Sequence, residues 1–169
     1  MEGRREVVGP IWVNEYVRGD GMEMGATPAL GAGAGADTQP YKEEFEKVKE
    51  LAWEFQQWAN QDPSPLDEGE DWTPKLQELC KEYGFVLVDE DFLVRHLGIS
   101  MERAEHFLYW FRNWETNIEG SDGGFEILYS PRTNVFYAIT GEWWGRTGEY
   151  YITVEKYTPQ KLREIIGDP

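Results

Sequence analysis

The chain has 169 residues, enough for one domain of ordinary size, or one domain with a tail. Its 32 acidic residues outnumber 16 basic ones for a formal net charge of -16, which argues against a surface built to hold phosphate backbones, since that needs clustered lysine and arginine. A hydrophobic share of 40% allows a real core. The single cysteine, Cys80, excludes an internal disulfide and a cysteine-built zinc site, and two histidines, His96 and His106, leave little for metal or acid–base chemistry.

No run of residues is long and apolar enough for a membrane span, and the start, with Arg4 and Arg5, has no apolar segment after it of the kind a secretion signal carries. The expectation is a cytoplasmic protein in a reducing compartment, without a membrane partner.

Residues 1–40 read as a flexible N-terminal arm. The stretch 11–17 is β-prone, with Pro10 suited to the start of a strand, so it is expected to pair at a sheet edge, its own or a partner's. The stretch 19–36 is mostly glycine and alanine; with little side chain to bury, it is expected to be a linker. Arg18, Gly19 and Asp20 form an RGD tripeptide, best read as a turn.

Residues 41–169 are expected to form a single α+β domain: helices packed with a three-stranded antiparallel sheet. Within it, 41–72 holds an amphipathic helix and an acidic loop, 74–139 the middle of the domain, and 140–169 a strand and a C-terminal helix. Over 41–60, Tyr41, Phe45, Val48, Ala52, Phe55 and Ala59 recur at helical spacing, widened by Leu51 and Trp58. Two prolines and a glycine make 61–72 a loop, and its five acids repel. Thr73 and Pro74 restart a helix whose inner stripe is Leu76, Leu79, Cys80 and Tyr83, with Gly84 as its stop. Cys80 on that stripe reads as a small core residue.

A short strand follows at 85–88. Asp89 or Asp91 caps a helix through Leu97, and Ser100 caps a longer one over about 101–116. From Gly123 the period changes to two, giving strands at 125–129, 135–139 and 149–154. Trp143 and Trp144 fall in the connection before the last strand. Thr158 and Pro159 open a final helix whose Leu162, Ile165 and Ile166 can lie on the sheet.

Residues 91–116, a short helix, a turn at Gly98 and a longer helix, resemble a helix-turn-helix, with Leu93, Leu97, Ile99, Ala104 and Phe107 where the two helices must pack. With the preceding helix and strand, and the hairpin 125–139 in the place of a wing, residues 74–139 are similar to a winged helix. That resemblance implies a DNA-reading transcription regulator. The helix at 101–116 departs from it: Glu102 and Glu105 stand in the turn where base-reading helices carry Arg, Lys, Asn or Gln, and the wing tip has one base, Arg132. Direct nucleic-acid binding is therefore not expected, and a winged helix here would serve protein contact.

No Ser–His–Asp or Cys–His set and no phosphate-binding loop stands out, so no catalytic residue, cofactor or metal site is assigned. With so many carboxylates, sequence cannot pick a catalytic pair from them. The aromatic residues are more informative. Phe107, Tyr109, Trp110, Phe111 and Trp114 crowd one helix beyond what a single face can bury. The expected function is a non-enzymatic acidic binding module, an inhibitor or regulator that docks on a basic, nucleic-acid-binding surface of a nuclease, polymerase or similar partner. In charge and size it is similar to small phage-encoded inhibitors and to toxin-immunity proteins, some of which mimic nucleic acid. The expected contact residues are Asp67, Glu68, Glu70, Asp71 and Trp72 for the electrostatic patch, and Tyr109, Trp110, Trp143 and Trp144 as anchors. The rivals are the winged-helix regulator, an enzyme with a carboxylate pair, and a structural subunit of a larger assembly.

Overall fold

The computed structural model describes residues 12–13, 35–116 and 120–167. In chain order the elements are β1 (Trp12–Val13), α1 (Gly35–Ala59), α2 (Thr73–Tyr83), β2 (Val86–Leu87), α3 (Glu90–Leu97), α4 (Met101–Phe111), β3 (Glu115–Thr116), β4 (Gly120–Ser130), β5 (Val135–Trp144), β6 (Glu149–Tyr157) and α5 (Pro159–Ile166). The fold is α+β.

Three long antiparallel strands, β4, β5 and β6, form the centre of the sheet, as the alternating pattern predicts. They run further than predicted, and three two-residue strands extend them. The order is β1-β6-β5-β4-β2, with β3 also paired to β4. Among the described residues β1 is the one parallel member, Trp12 opposite Thr153 and Val13 opposite Val154, so part of the β-prone arm adds to the chain's own sheet. The rest of the arm, including the RGD tripeptide and the glycine–alanine stretch up to residue 34, lies outside the described residues.

Alternation sends side chains to two faces, and each face meets its own helices. On one face Leu128, Tyr137, Ile139, Ile152 and Val154 pack against Val48, Leu51 and Phe55 of α1 and Leu76 and Leu79 of α2. On the other, Ile127, Tyr129, Phe136 and Ala138 pack against Leu93 and Leu97 of α3, Ala104, Phe107 and Leu108 of α4, and Leu162 of α5. Each such buried Leu or Phe contributes ~1.5–3 kcal/mol, so the two half-cores are the main favourable term.

Helix α1 starts at Gly35, earlier than the predicted 41. From Phe45 onward its inner stripe is as spaced, with one addition. Glu44 is 2% exposed, and its carboxylate accepts from Ser130 Oγ, from Thr133 Oγ1 at 2.7 Å and from Tyr137 OH at 2.8 Å. Hydroxyl donors make that burial tolerable and tie α1 to the β4–β5 turn.

Three helix N-caps act as their residue types dictate, whereas α2 begins at Thr73 with Trp72 at its N-cap and no side-chain cap bond. Asp89 Oδ1 accepts from Phe92 N at 2.9 Å, Ser100 Oγ from Arg103 N at 3.1 Å and Thr158 Oγ1 from Lys161 N at 3.1 Å. Gly84 and Gly98 close α2 and α3 in the left-handed region, at φ 84° and 74°. The expected α3–α4 contact is made: Leu93, Leu97, Ile99, Ala104 and Phe107 are all buried together.

Four expectations need correction. Helix α4 ends at Phe111, not near 116, because Arg112 and Trp114 are drawn onto β4 and Glu115–Thr116 pairs with it. Trp143 and Trp144 are not in a loop; they are the last pairs of β5, opposite Tyr150 and Glu149. Ile165 is exposed, since α5 reaches the core through Leu162 and Ile166. The hairpin expected as a wing forms the middle of the sheet, buried from both sides, with β2 paired to Leu128 and Tyr129 of β4. Among the described residues no helix is long and apolar enough to cross a membrane.

Candidate functional site

The acidic loop between α1 and α2 is an ordered coil. Its backbone closes successive turns, Glu68 N to Ser64 O at 3.0 Å, Gly69 N to Leu66 O at 3.1 Å and Glu70 N to Pro65 O at 2.9 Å. Ser64 and Pro65 are buried, whereas Asp67, Glu68, Glu70 and Asp71 are exposed. Asp71 is partly spent on structure, its Oδ1 accepting Thr73 N at 3.0 Å at the entry to α2.

A cleft of about 450 Å³ opens between this loop and the ends of β4, β5 and β6. Leu66, Asp67, Gly69, Glu70, Trp72, Trp114, Ser121, Phe125, Trp143 and Tyr150 line it, with no lysine, arginine or histidine among them. Its rings meet in sequence at steep angles. Trp72 and Phe125 are 5.1 Å apart at 88°, Phe125 and Trp114 5.0 Å at 61°, Trp114 and Tyr150 6.4 Å at 83°, and Tyr150 and Trp143 6.4 Å at 56°. They make walls rather than a stack.

Each wall has a local cause. Trp72 Nε1 donates to Phe125 O and to Glu126 Oε2, both at 3.2 Å. Trp114 Nε1 donates to Gly124 O at 3.1 Å, and its ring lies where a side chain on residue 123 would be: a Cβ built on Gly123 would stand 2.7 Å from it. Tyr150 OH donates to Asp67 Oδ1 at 2.8 Å. Burial first, then this bond and the Asp67 charge, push the Tyr150 hydroxyl well above its ordinary pKa.

Beneath Trp72 lies a buried ion pair. Glu126 is 1% exposed; its Oε1 is 2.8 Å from Arg112 Nη2, and its Oε2 also accepts Thr73 Oγ1 at 2.8 Å. Arg112 thus spends its charge on Glu126. Cys80, in the core of that face, is pushed up to about 12, first by burial and then by the Glu126 charge, so it is a protonated packing residue.

The opposite face carries a second concavity, about 440 Å³, where the helices leave the upper sheet uncovered. Trp110, Phe111, Glu115, Asp122, Glu142 and Glu155 line it with Thr140 and Thr153, again with no basic residue. Glu155 accepts from Tyr157 OH at 2.6 Å, and Glu142 from Trp144 Nε1 at 2.7 Å. Trp144 also meets Tyr151 edge-on at 5.7 Å.

The nine sequence-predicted contact residues therefore divide. Asp67, Glu70, Trp72 and Trp143 line the first cleft, with Glu68 and Asp71 exposed on the same loop. Trp110 lines the groove on the other face. Tyr109, 75% exposed, is its neighbour on α4, and Trp144, 41% exposed, stands beside Glu142. Adjacent residues of one strand cannot share a face, so Trp143 and Trp144 are separated. Sequence reasoning missed Trp114, Phe125 and Tyr150 as cleft walls. Tyr150 had a readable signal: a four-residue turn at 145–148 places it opposite Trp143.

His96 Nε2 lies 3.1 Å from Asn134 Oδ1 and its ring stacks on Phe92. Among the described residues no group of three or more His, Cys, Asp or Glu is arranged to hold a metal ion. Comparisons with protein-family models, with curated proteins and with solved structures each gave no match.

Proposed function

We propose that the chain is a non-enzymatic acidic binding protein, an inhibitor or regulator that docks on a basic surface of a partner such as a nuclease or polymerase. The observation that supports this reading is that both concavities flanking the sheet are lined by carboxylates and tryptophan, with no lysine, arginine or histidine in either. Carboxylates at a rim raise the encounter rate with a cationic surface, and indoles that become buried there slow dissociation. On α4, exposed Glu102 and Glu105 disfavour approach of that helix to DNA.

The test is affinity capture from a nuclease-treated lysate with the full chain and with a Glu70→Lys/Asp71→Lys variant, at low and high salt. The expected result is recovery of proteins with strongly basic surfaces, released as salt is raised and lost with the charge reversal. Retention of the chain on immobilised DNA, or recovery indifferent to the charge reversal, overturns the reading.

A further inference from the structure

We propose that the cleft between the acidic loop and the β5–β6 hairpin is a cation–π site for an alkylated ammonium group. The inference extends the reading above by naming the chemistry gripped at one site, and it needs no partner protein to be tested. Three observations on the site carry it.

The first is the box of rings. Trp72, Trp114, Tyr150 and Trp143, each part-exposed, line one cleft around the buried Phe125, and successive rings meet at interplanar angles of 88°, 61°, 83° and 56° instead of stacking flat. Ring faces are electron-rich and attract a cation, indole most strongly.

The second is charge. Asp67 and Glu70 are in the wall and no basic side chain lines the cleft. Arg112, linked to the Trp72 wall through Glu126, is already paired with that buried carboxylate.

The third is that the polar hydrogens of three ring walls are already engaged. The N–H of Trp72 goes to Phe125 O and Glu126, that of Trp114 to Gly124 O, and the Tyr150 hydroxyl proton to Asp67. A guanidinium or primary ammonium brings several N–H donors, for which ring faces are poor acceptors and Asp67 and Glu70 the strong ones on the walls, whereas a methylated ammonium carries its charge on C–H surface that packs directly on the rings. The walls therefore suit the methylated group. A volume of about 450 Å³ leaves room for the chain that bears it.

The group can be a free quaternary amine or a methylated lysine on a protein, and titration separates the two. Tryptophan fluorescence of the full chain is followed with choline, with the uncharged carbon isostere of choline, with N-acetyl-trimethyllysine amide and with N-acetyl-lysine amide. Saturable binding of the two quaternary probes is expected, each roughly tenfold tighter than its uncharged or unmethylated counterpart. Whichever quaternary probe binds tighter identifies the source. Trp143→Leu should weaken quaternary binding by roughly tenfold, its folding being checked by circular dichroism. Equal binding of choline and its carbon isostere would mean an apolar pocket and overturn the assignment. So would lysine binding as tightly as trimethyllysine, or the lack of saturation with any cation. These comparisons on the unaltered chain decide the matter even if the variant fails to fold.

Discussion

The carboxamide of Asn60 clasps the backbone of Tyr150 from both sides, Nδ2 donating to Tyr150 O at 2.9 Å and Oδ1 accepting Tyr150 N–H at 2.8 Å. Just past the end of α1, a side chain thus does for β6 what a neighbouring strand would do. Gln56, one turn earlier, takes Ile152 N–H on its Oε1 at 2.8 Å, and β1 pairs opposite Thr153 and Val154. The outer edge of β6 is therefore occupied along much of its length, which protects it from unwanted pairing with another chain.

Asn60→Ala should lower stability by about 2 kcal/mol, because two part-buried backbone groups lose their partners. Asn60→Asp keeps the acceptor but sets a carboxylate against Tyr150 O, and at neutral pH it should cost at least as much. Urea unfolding midpoints measure both. A midpoint unchanged in the alanine variant would mean that water replaces the amide without loss.

Breaking the Arg112–Glu126 pair from one side should be costlier than removing both charges. Arg112→Leu leaves a carboxylate that is 1% exposed without its cation and should destabilise by about 3–5 kcal/mol. Adding Glu126→Gln should restore much of that, since the amide still offers an oxygen to Trp72 and Thr73. A double-mutant cycle read by chemical denaturation checks the order.

Gly123 and Gly124 seat two aromatic residues on opposite sides of β4. A Cβ at Gly123 would meet Trp114 at 2.7 Å, and one at Gly124 would meet Phe111 at 2.5 Å. Gly123→Ala and Gly124→Ala should each cost about 1–3 kcal/mol by overpacking. Their signatures should differ: Gly123→Ala moves the Trp114 wall and should change the near-ultraviolet circular dichroism of the cleft indoles, whereas Gly124→Ala disturbs the α4 side. Identical spectra for the two variants would contradict these placements.

Stability should fall on the alkaline side. Cys80 rises from its ordinary 9.0 to about 12 on folding, and the Tyr83, Tyr129 and Tyr150 hydroxyls are raised as well. Above the unfolded values the unfolded chain has already released these protons while the folded chain holds them. It then binds fewer protons than the native state, so the free energy of unfolding declines with rising pH. The contribution is complete below pH 9 and is lost progressively from there. Thermal unfolding from neutral pH upward checks the direction. Native-state alkylation of Cys80 at mildly alkaline pH should be slow and should accelerate with denaturant.

Much of the candidate site was visible as residue types. Asp67, Glu70, Trp72 and Trp143 stand out because carboxylates cluster in a loop and tryptophan is costly to leave exposed. Trp114 was visible only as one aromatic too many on a helix that, in the folded chain, has already ended at Phe111. Nothing local breaks that helix; Glu126, Gly123 and Gly124 of β4 make the places that Arg112, Trp114 and Phe111 fill.

Helix boundaries set by caps belong to the sequence alone, because a cap is a bond between near neighbours: Asp89, Ser100 and Thr158 start their helices and Gly84 and Gly98 end theirs. The strand period and the acidity are likewise local or additive properties. Which rings share a cleft, where Glu44 and Glu126 find their donors, and how the β6 edge is closed were decided only in three dimensions. Many of those relations join residues some 50 to 100 positions apart, and register and packing bring them within reach.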